Sequence, residues 1–261
     1  MVAGASSTQE VAVELRPGVF RPDWSAVTTP AARAALRGRT AARSSLLEKW
    51  SQPLGREEDL VWRSVLRLYA SLGRAPHGAE ISAETGLPEE RIKGCLRSLQ
   101  NRDLLDLHAN GTAIRHVYPF TESETGHHVA LGRHLFNALC AVDALGAGAM
   151  YQSDVAVESS CRLCGAEIHI TTTMEGRALG SVSPAEAIVW YDFSYRGSAA
   201  ASCCPTIAFF CSDEHLRRWL DAQSPRRNGM RLSIAEALEV GRAIFGPILN
   251  EPVSTPRTRS L

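Results

Sequence analysis

The sequence predicts an α+β protein: an N-terminal winged-helix-like helical module, then a mixed α+β domain built on a small antiparallel sheet. Apolar residues recur at helical spacing through most of 57–101, and an Asn-Gly turn signal follows them. Beyond residue 126, helical segments alternate with strand-like runs, among them VAVESS, EIHITTT, EAIVWYDF and PTIAFF. We therefore expect an N-terminal arm and helix (1–56), the winged-helix-like module (57–121), the mixed domain (122–250) and a flexible tail (251–261).

The elements of the first half follow from local signals. Residues 1–25 are polar and carry several Pro and Gly, which predicts a loose arm, whereas the Ala-, Arg- and Leu-rich stretch 30–50 predicts a helix. A helix that ends at Gly73, a short helix that ends at Gly86, a helix that starts near Pro88 and a hairpin come next. That order is typical of a winged helix-turn-helix.

The charge pattern argues against nucleic acid and membrane partners. Lys+Arg and Asp+Glu both number 28, so the chain has no global positive field. Residues 57–120 contain eight Lys/Arg and nine Asp/Glu, and the helix that would read DNA opens with Glu89 and Glu90. The sequence contains neither a signal-peptide pattern nor an apolar run of about 18 residues. We expect a cytoplasmic protein whose first module has a structural or substrate-covering role.

The cysteines indicate metal or thiol chemistry. Six of the seven lie between 140 and 211, and only Cys95 lies outside that range. In a reducing compartment such a cluster favours metal binding or catalysis over a disulfide framework.

Two cysteine motifs stand out. Cys140 and Asp143 lie three residues apart on a predicted helix, GRHLFNALCAVDALGAG, and therefore on one face. The apolar neighbours of Asp143 indicate a largely buried helix, on which an acid needs a partner or a function. Cys203 and Cys204 precede a predicted strand, so we expect only one of them to face a shared site.

These motifs resemble those of the organomercurial (alkylmercury) lyase family. LFNALCAVDAL resembles the family's catalytic helix, and SCCPTIAFFCS resembles its second cysteine segment. VAVESSCRLCG and VSPAEA resemble two intervening turns, and ISAETGLPEERIKGCL resembles the family's N-terminal winged-helix-like module. The resemblance covers roughly residues 60–250.

The resemblance implies cleavage of a carbon–mercury bond by protonolysis, which yields a hydrocarbon and Hg(II). It implies Cys140 and Cys203 as the catalytic thiols that bind the substrate mercury, Asp143 as the catalytic acid, and Cys161 as a structural cysteine. It implies no catalytic cofactor, and transfer of Hg(II) to a mercuric reductase. The chemistry agrees, because thiolates are the soft ligands that mercury prefers and a carboxyl group can supply the proton.

The sequence departs from the family at Cys164 and Cys211. Together with Cys161 and His215 they form a Cys-x-x-Cys and a Cys-x-x-x-His, a spacing typical of structural zinc. The alternative is a reduced turn next to a buried cysteine and a surface histidine.

Two other functions remain open at this stage. A cysteine-rich module with a winged helix could be a metal-sensing or metal-binding regulator, although such a protein has no need of Asp143 beside its thiols. A lyase that acts on another carbon–metalloid bond would use the same residues.

Overall fold

The computed structural model describes residues 10–109 and 111–250. The helices in these residues are α1 (Pro30–Ala42), α2 (Ser44–Lys49), α3 (Arg56–Leu72), α4 (Gly78–Thr85), α5 (Glu89–Asn101), α6 (Ala141–Tyr151), α7 (Ala199–Ser202), α8 (Asp213–Asp221) and α9 (Ile234–Leu249). None of them is long and apolar enough to cross a membrane.

The strands of the described residues form three antiparallel sheets. They are β1 (Val13–Arg16), β2 (Val19–Arg21), β3 (Leu105–Leu107), β4 (Ile114–Val117), β5 (Phe120–Thr121), β6 (His127–Leu131), β7 (His134–Ala138), β8 (Val155–Ser160), β9 (Glu167–Thr173), β10 (Ala178–Ser183), β11 (Ile188–Asp192), β12 (Ala208–Phe210) and β13 (Gly229–Ser233). The main sheet has the order β10-β9-β8-β6-β7-β5-β4-β3, a second sheet has the order β12-β11-β13, and β1 pairs with β2.

The α+β class with antiparallel sheets is confirmed, but the expected size of the sheet is wrong. The principal sheet contains eight strands because β5, β6, β7 and β10 join the four strands that the sequence indicated. Polar side chains on β6 and β10 obscured the alternation that marks a half-buried strand, and β5 has only two residues. Strand β6, for example, begins with His127 and His128.

The helices of the first half occur in the predicted order. Gly73 (φ 75°) and Gly86 (φ 71°) end α3 and α4 in the left-handed conformation that glycine adopts without strain. Helix α5 and the pair β3–β4 follow. This pair forms one end of the main sheet, so the helices α3–α5 lie beside strands that continue toward β7.

The expected loose arm is wrong for residues 13–25, which form the hairpin β1–β2 and the start of a short 3₁₀ turn. Arg16 anchors the hairpin: it pairs with Asp59 at 2.9 Å and donates to the carbonyls of Ile248 and Asn250 at the end of α9. These carbonyls have no partner within the helix, so a buried guanidinium satisfies them. Residues 1–9 of the expected arm and the expected tail 251–261 lie outside the described residues.

The helix expected over GRHLFNALCAVDALGAG is only half correct. Residues His134–Ala138 form β7, and the helix α6 begins at Ala141. Phe136 and Ala138 are buried while their neighbours are less so, which is the period-two burial of a strand.

Helices α6 and α9 pack against each other at the centre of the fold. Gly146 on α6 lies against Gly241 and Phe245 on α9 so closely that a Cβ atom at Gly146 would lie 2.9 Å from the Gly241 carbonyl oxygen. Almost every residue of α6 is buried, which holds the N-terminal end of this helix, with Cys140 and Asp143, inside the protein.

Candidate active site

Cys140 and Asp143 lie together at the buried N-terminus of α6. Cys140 is the N-cap residue, and its Sγ accepts a hydrogen bond from the backbone N–H of Asp143 at 3.4 Å. The two residues are only 2% and 4% exposed. A helix N-terminus favours negative charge, so this position suits a thiolate and a carboxylate.

The Cys203–Cys204 pair lies opposite, where α7 gives way to a 3₁₀ turn. The Cys204 thiol donates to Asp143 Oδ2 at 3.8 Å, and the ligand atoms of Cys140, Asp143 and Cys204 all lie within 4.8 Å of one another. The Cys203 thiol donates to the Ala199 carbonyl at 3.6 Å. Of the two adjacent cysteines, Cys204 is therefore the one that contacts Asp143, and Cys203 lies next to Cys204.

The expectation that only one of these two cysteines faces the site is wrong, because both line the same cavity. The pair belongs to helical turns and not to the strand β12, so its side chains do not alternate between opposite faces.

The cavity is small, about 50 Å³, and cationic and aromatic side chains surround the thiols. Because one water molecule needs roughly 10–15 Å³ of cavity volume, this cavity can hold a short organic group. Besides the four residues above, the lining includes Arg21, Arg39, Arg43, Trp50, Asp103, Tyr118, Tyr191 and Phe245.

Burial shifts the pKa of both groups at the end of α6. Desolvation raises the pKa of the Asp143 carboxyl to about 7, although hydrogen bonds from Cys140 and Cys204 and the charge of Arg21 oppose it. Desolvation likewise raises the pKa of the Cys140 thiol to about 11. At neutral pH the carboxyl is therefore close to half protonated, and the Cys140 thiol keeps its proton until another group takes it.

The two adjacent cysteines are shifted in opposite directions. The hydrogen bond from Cys204, together with the charges of Arg43 and Arg39, lowers the pKa of the Cys203 thiol. The pKa of Cys204 lies well above its usual value because Cys140, Cys203 and burial all favour its protonated form. Cys203 is thus the better thiolate, and Cys204 is the thiol that holds Asp143.

Sequence reasoning missed the three arginines that line the cavity. Arg39 lies on the same face of α1 as the buried Ala32, Ala35 and Leu36. This i, i+3, i+4, i+7 spacing was visible in the sequence and places a charged residue on a buried helix face. An arginine on the buried face of a predicted helix could therefore have been identified from the sequence as a candidate functional residue.

The residues predicted to bind zinc come together in a second cluster. The ligand atoms of Cys161, Cys164, Cys211 and His215 all lie within 4.8 Å of one another. Cys211 Sγ lies 3.0 Å from His215 Nδ1, Cys161 Sγ lies 3.6 Å from the same atom, and Cys164 Sγ lies 3.8 Å from Cys211 Sγ. None of the four residues lines the thiol cavity.

Two turns build this second cluster. Cys161 and Cys164 lie in the turn between β8 and β9, which Gly165 closes with φ 75°. Cys211 follows β12, and His215 lies in the first turn of α8, where Ser212 caps its backbone N–H. A backbone hydrogen bond of 3.0 Å from Arg162 to Phe209 joins the two turns.

A cavity lined by buried thiols and a carboxyl of near-neutral pKa is typical of a thiol-dependent enzyme suited to a soft-metal substrate. Known proteins agree with this class. The family model described as alkylmercury lyase matches residues 120–246. The alkylmercury lyases of Bacillus cereus and Clostridium butyricum are each 29% identical over 191 residues, covering 71% of this chain and 81% of theirs. That of Staphylococcus epidermidis is 28% identical over 183 residues, covering 70% of this chain and 80% of its own.

A solved structure has the same fold. The mercury-bound form of MerB2 aligns with a TM-score of 0.66 at 21% identity, covering 82% of this chain and 99% of that one. The chain is thus similar to alkylmercury lyases in sequence, and it shares the fold of this solved structure.

Proposed function

We propose that this enzyme cleaves the carbon–mercury bond of organomercurials by protonolysis. Cys140 and Cys203 bind the mercury, and Asp143 moves the proton. The observation that carries the proposal is the position of Asp143, whose carboxyl group has a pKa of about 7 and lies in one buried cavity with three thiols. A metal-sensing regulator would need the thiols but not an acid with this pKa.

The reaction balances with these groups alone. The Cys203 thiolate attacks the mercury of R–Hg–X and displaces X⁻. The Cys140 thiol passes its proton to the Asp143 carboxylate as its sulfur binds the mercury. Asp143 then returns the proton to the carbon while the electrons of the Hg–C bond leave with that carbon. The products are R–H and Hg(II) on two thiolates.

Incubation of the reduced protein with phenylmercuric acetate tests this function. We expect benzene in the headspace by gas chromatography, in an amount that rises with protein, because the enzyme supplies the proton. Protein whose thiols have been alkylated is the control and should release none. Retention of intact phenylmercury without benzene would show a binding protein and contradict the proposal.

We also propose one structural zinc ion at Cys161, Cys164, Cys211 and His215. A tetrahedral site with zinc–sulfur bonds of about 2.3 Å brings its sulfur atoms to about 3.8 Å from each other. The Cys164–Cys211 distance of 3.8 Å fits this requirement. Although burial opposes the shift, backbone N–H groups of the turn and His215 lower the pKa of Cys161 to about 6, which favours the thiolate form that zinc needs.

Metal analysis should find about one zinc per chain in the wild-type protein. Cys164→Ser should lose most of it and unfold at a lower temperature, because the metal joins the β8–β9 turn to the end of β12. Cys140→Ser and Cys95→Ser are the matched controls and should keep the metal. If Cys140→Ser lost the zinc and Cys164→Ser kept it, the metal would be bound at the thiols of the cavity, and the proposed zinc site would be wrong.

The remaining roles complete the proposal. The helices α3–α5 with β3 and β4 act as a winged-helix-like cover and not as a DNA reader, since Glu89 and Glu90 open the helix that would enter the groove.

The enzyme works in the cytoplasm, where its thiols stay reduced, and passes Hg(II) to a mercuric reductase.

A further inference from the structure

Three arginines from the first 43 residues enter the thiol cavity, although the match to the family model begins only at residue 120. Arg21 lies on β2, Arg39 lies on α1, and Arg43 follows α1. They are 5%, 6% and 4% exposed. A buried guanidinium normally needs a carboxylate or a full set of hydrogen-bond acceptors.

Arg39 lacks such partners among the residues that the structure describes. Arg43 donates to the carbonyls of Asp192 and Phe193, and Arg21 donates to the carbonyl of Ile244 and lies 4.6 Å from the centre of the Trp50 ring. The buried Nε of Arg39 has no hydrogen-bond partner in the described part of the chain, and the ring of Trp50 lies 5.8 Å from its guanidinium. Within residues 10–109 and 111–250, no carboxylate forms an ion pair with any of the three.

The carboxyl groups of the cavity do not balance these charges. Asp103 and Asp143 are the acids of the lining. Asp103 is engaged, because it accepts hydrogen bonds from the Tyr118 hydroxyl and the Ala199 N–H. Among the described residues, three guanidinium groups therefore line the cavity with two carboxyl groups that form no ion pair with them, which leaves Arg39 available to an anionic group.

We propose that Arg39, assisted by Arg21, binds the carboxylate of organomercurials whose short organic group carries one, so that this enzyme prefers anionic substrates to neutral ones of equal size. The inference rests on the proposed function and adds its substrate class. The cavity volume of about 50 Å³ suits a short organic group.

The alternative role for Arg39 is to stabilise the Cys203 thiolate through its charge. The two roles differ in their dependence on substrate. A guanidinium that serves the thiolate affects every mercurial equally, whereas one that binds a carboxylate affects only substrates that have one. The ratio of kcat/KM for a carboxylate and its neutral amide separates the two roles.

The test compares 2-carboxyethylmercury with its isosteric amide, 2-carbamoylethylmercury. Wild-type enzyme should prefer the carboxylate in kcat/KM by about tenfold or more, as expected for a charge-assisted hydrogen bond in a buried site. Arg39→Gln should bring the ratio close to one, and Arg39→Lys, which keeps the charge, should restore part of it. Arg37→Gln is the matched control on the same helix, because Arg37 pairs with Glu10 and does not line the cavity, so the wild-type ratio should persist.

Each other outcome overturns the inference. A wild-type ratio near one shows that no cation recognises the carboxylate, and this result does not depend on any variant folding. An equal loss on both mercurials in Arg39→Gln assigns Arg39 to the thiolate. If neither mercurial yields a hydrocarbon product, the proposed function itself is contradicted. If both mercurials are cleaved at equal rates, only the preference for anionic substrates is contradicted.

Discussion

Replacing either mercury-binding cysteine with serine should reduce hydrocarbon release by roughly a thousandfold or more, as for other residues that act as one catalytic unit. The variants are Cys140→Ser and Cys203→Ser. A hydroxyl group is a hard, protonated ligand at neutral pH, so it neither binds mercury tightly nor weakens the Hg–C bond. Single-turnover release of benzene from phenylmercury measures the effect.

Cys204→Ala is the informative companion variant. Its thiol contacts Asp143, yet its raised pKa makes it a proton donor and not a mercury ligand. We expect it to retain most of the activity, and we expect Cys95→Ala, which lies in α5 outside the cavity, to retain all of it. Full activity in Cys203→Ser together with its loss in Cys204→Ala would reverse the assignment and make Cys204, the cysteine nearer to Asp143, the second ligand.

Asp143→Asn should bind the organomercurial with full stoichiometry and release almost no hydrocarbon. Binding needs the thiolates, whereas cleavage needs a proton at the carbon, and an amide supplies none at neutral pH. Mercury analysis after gel filtration measures retention, and headspace chromatography measures release. Turnover at the wild-type rate in this variant would mean that the proton comes from another donor.

The same variant should be more stable than the wild type above neutral pH, which excludes unfolding as the reason for lost activity. The Asp143 pKa is about 7 in the folded protein against 3.8 for the free side chain, so the folded state binds this proton more tightly. The protonated Asp143 carboxyl therefore contributes fully to the stability of the folded state below pH 3.8, and this contribution is lost as the pH rises through 7. The ionised carboxyl costs up to roughly 4 kcal/mol at high pH. The gain in Tm for Asp143→Asn should be large at pH 8 and shrink toward pH 4.

Local sequence signals were sufficient wherever one element determined its own structure. The glycines that end α3 and α4 and the apolar runs of β11 and β12 required no tertiary information, because turn chemistry and continuous burial are local properties. The spacing of the two metal-type motifs likewise predicted that Cys161, Cys164, Cys211 and His215 would converge, as they do. Local signals failed for β7, whose apolar residues continue into α6 without a turn signal in the sequence.

The sequence by itself determined the chemical groups of the site: the pair Cys140 and Asp143 at one end of α6, and two adjacent cysteines further along the chain. Tertiary structure alone decided what surrounds them. It brings Arg39 of α1 into the cavity and raises the Asp143 pKa to about 7. It also turns both Cys203 and Cys204 toward the same space. These properties depend on burial and on charges from distant parts of the chain, and a pattern of neighbouring residues contains neither.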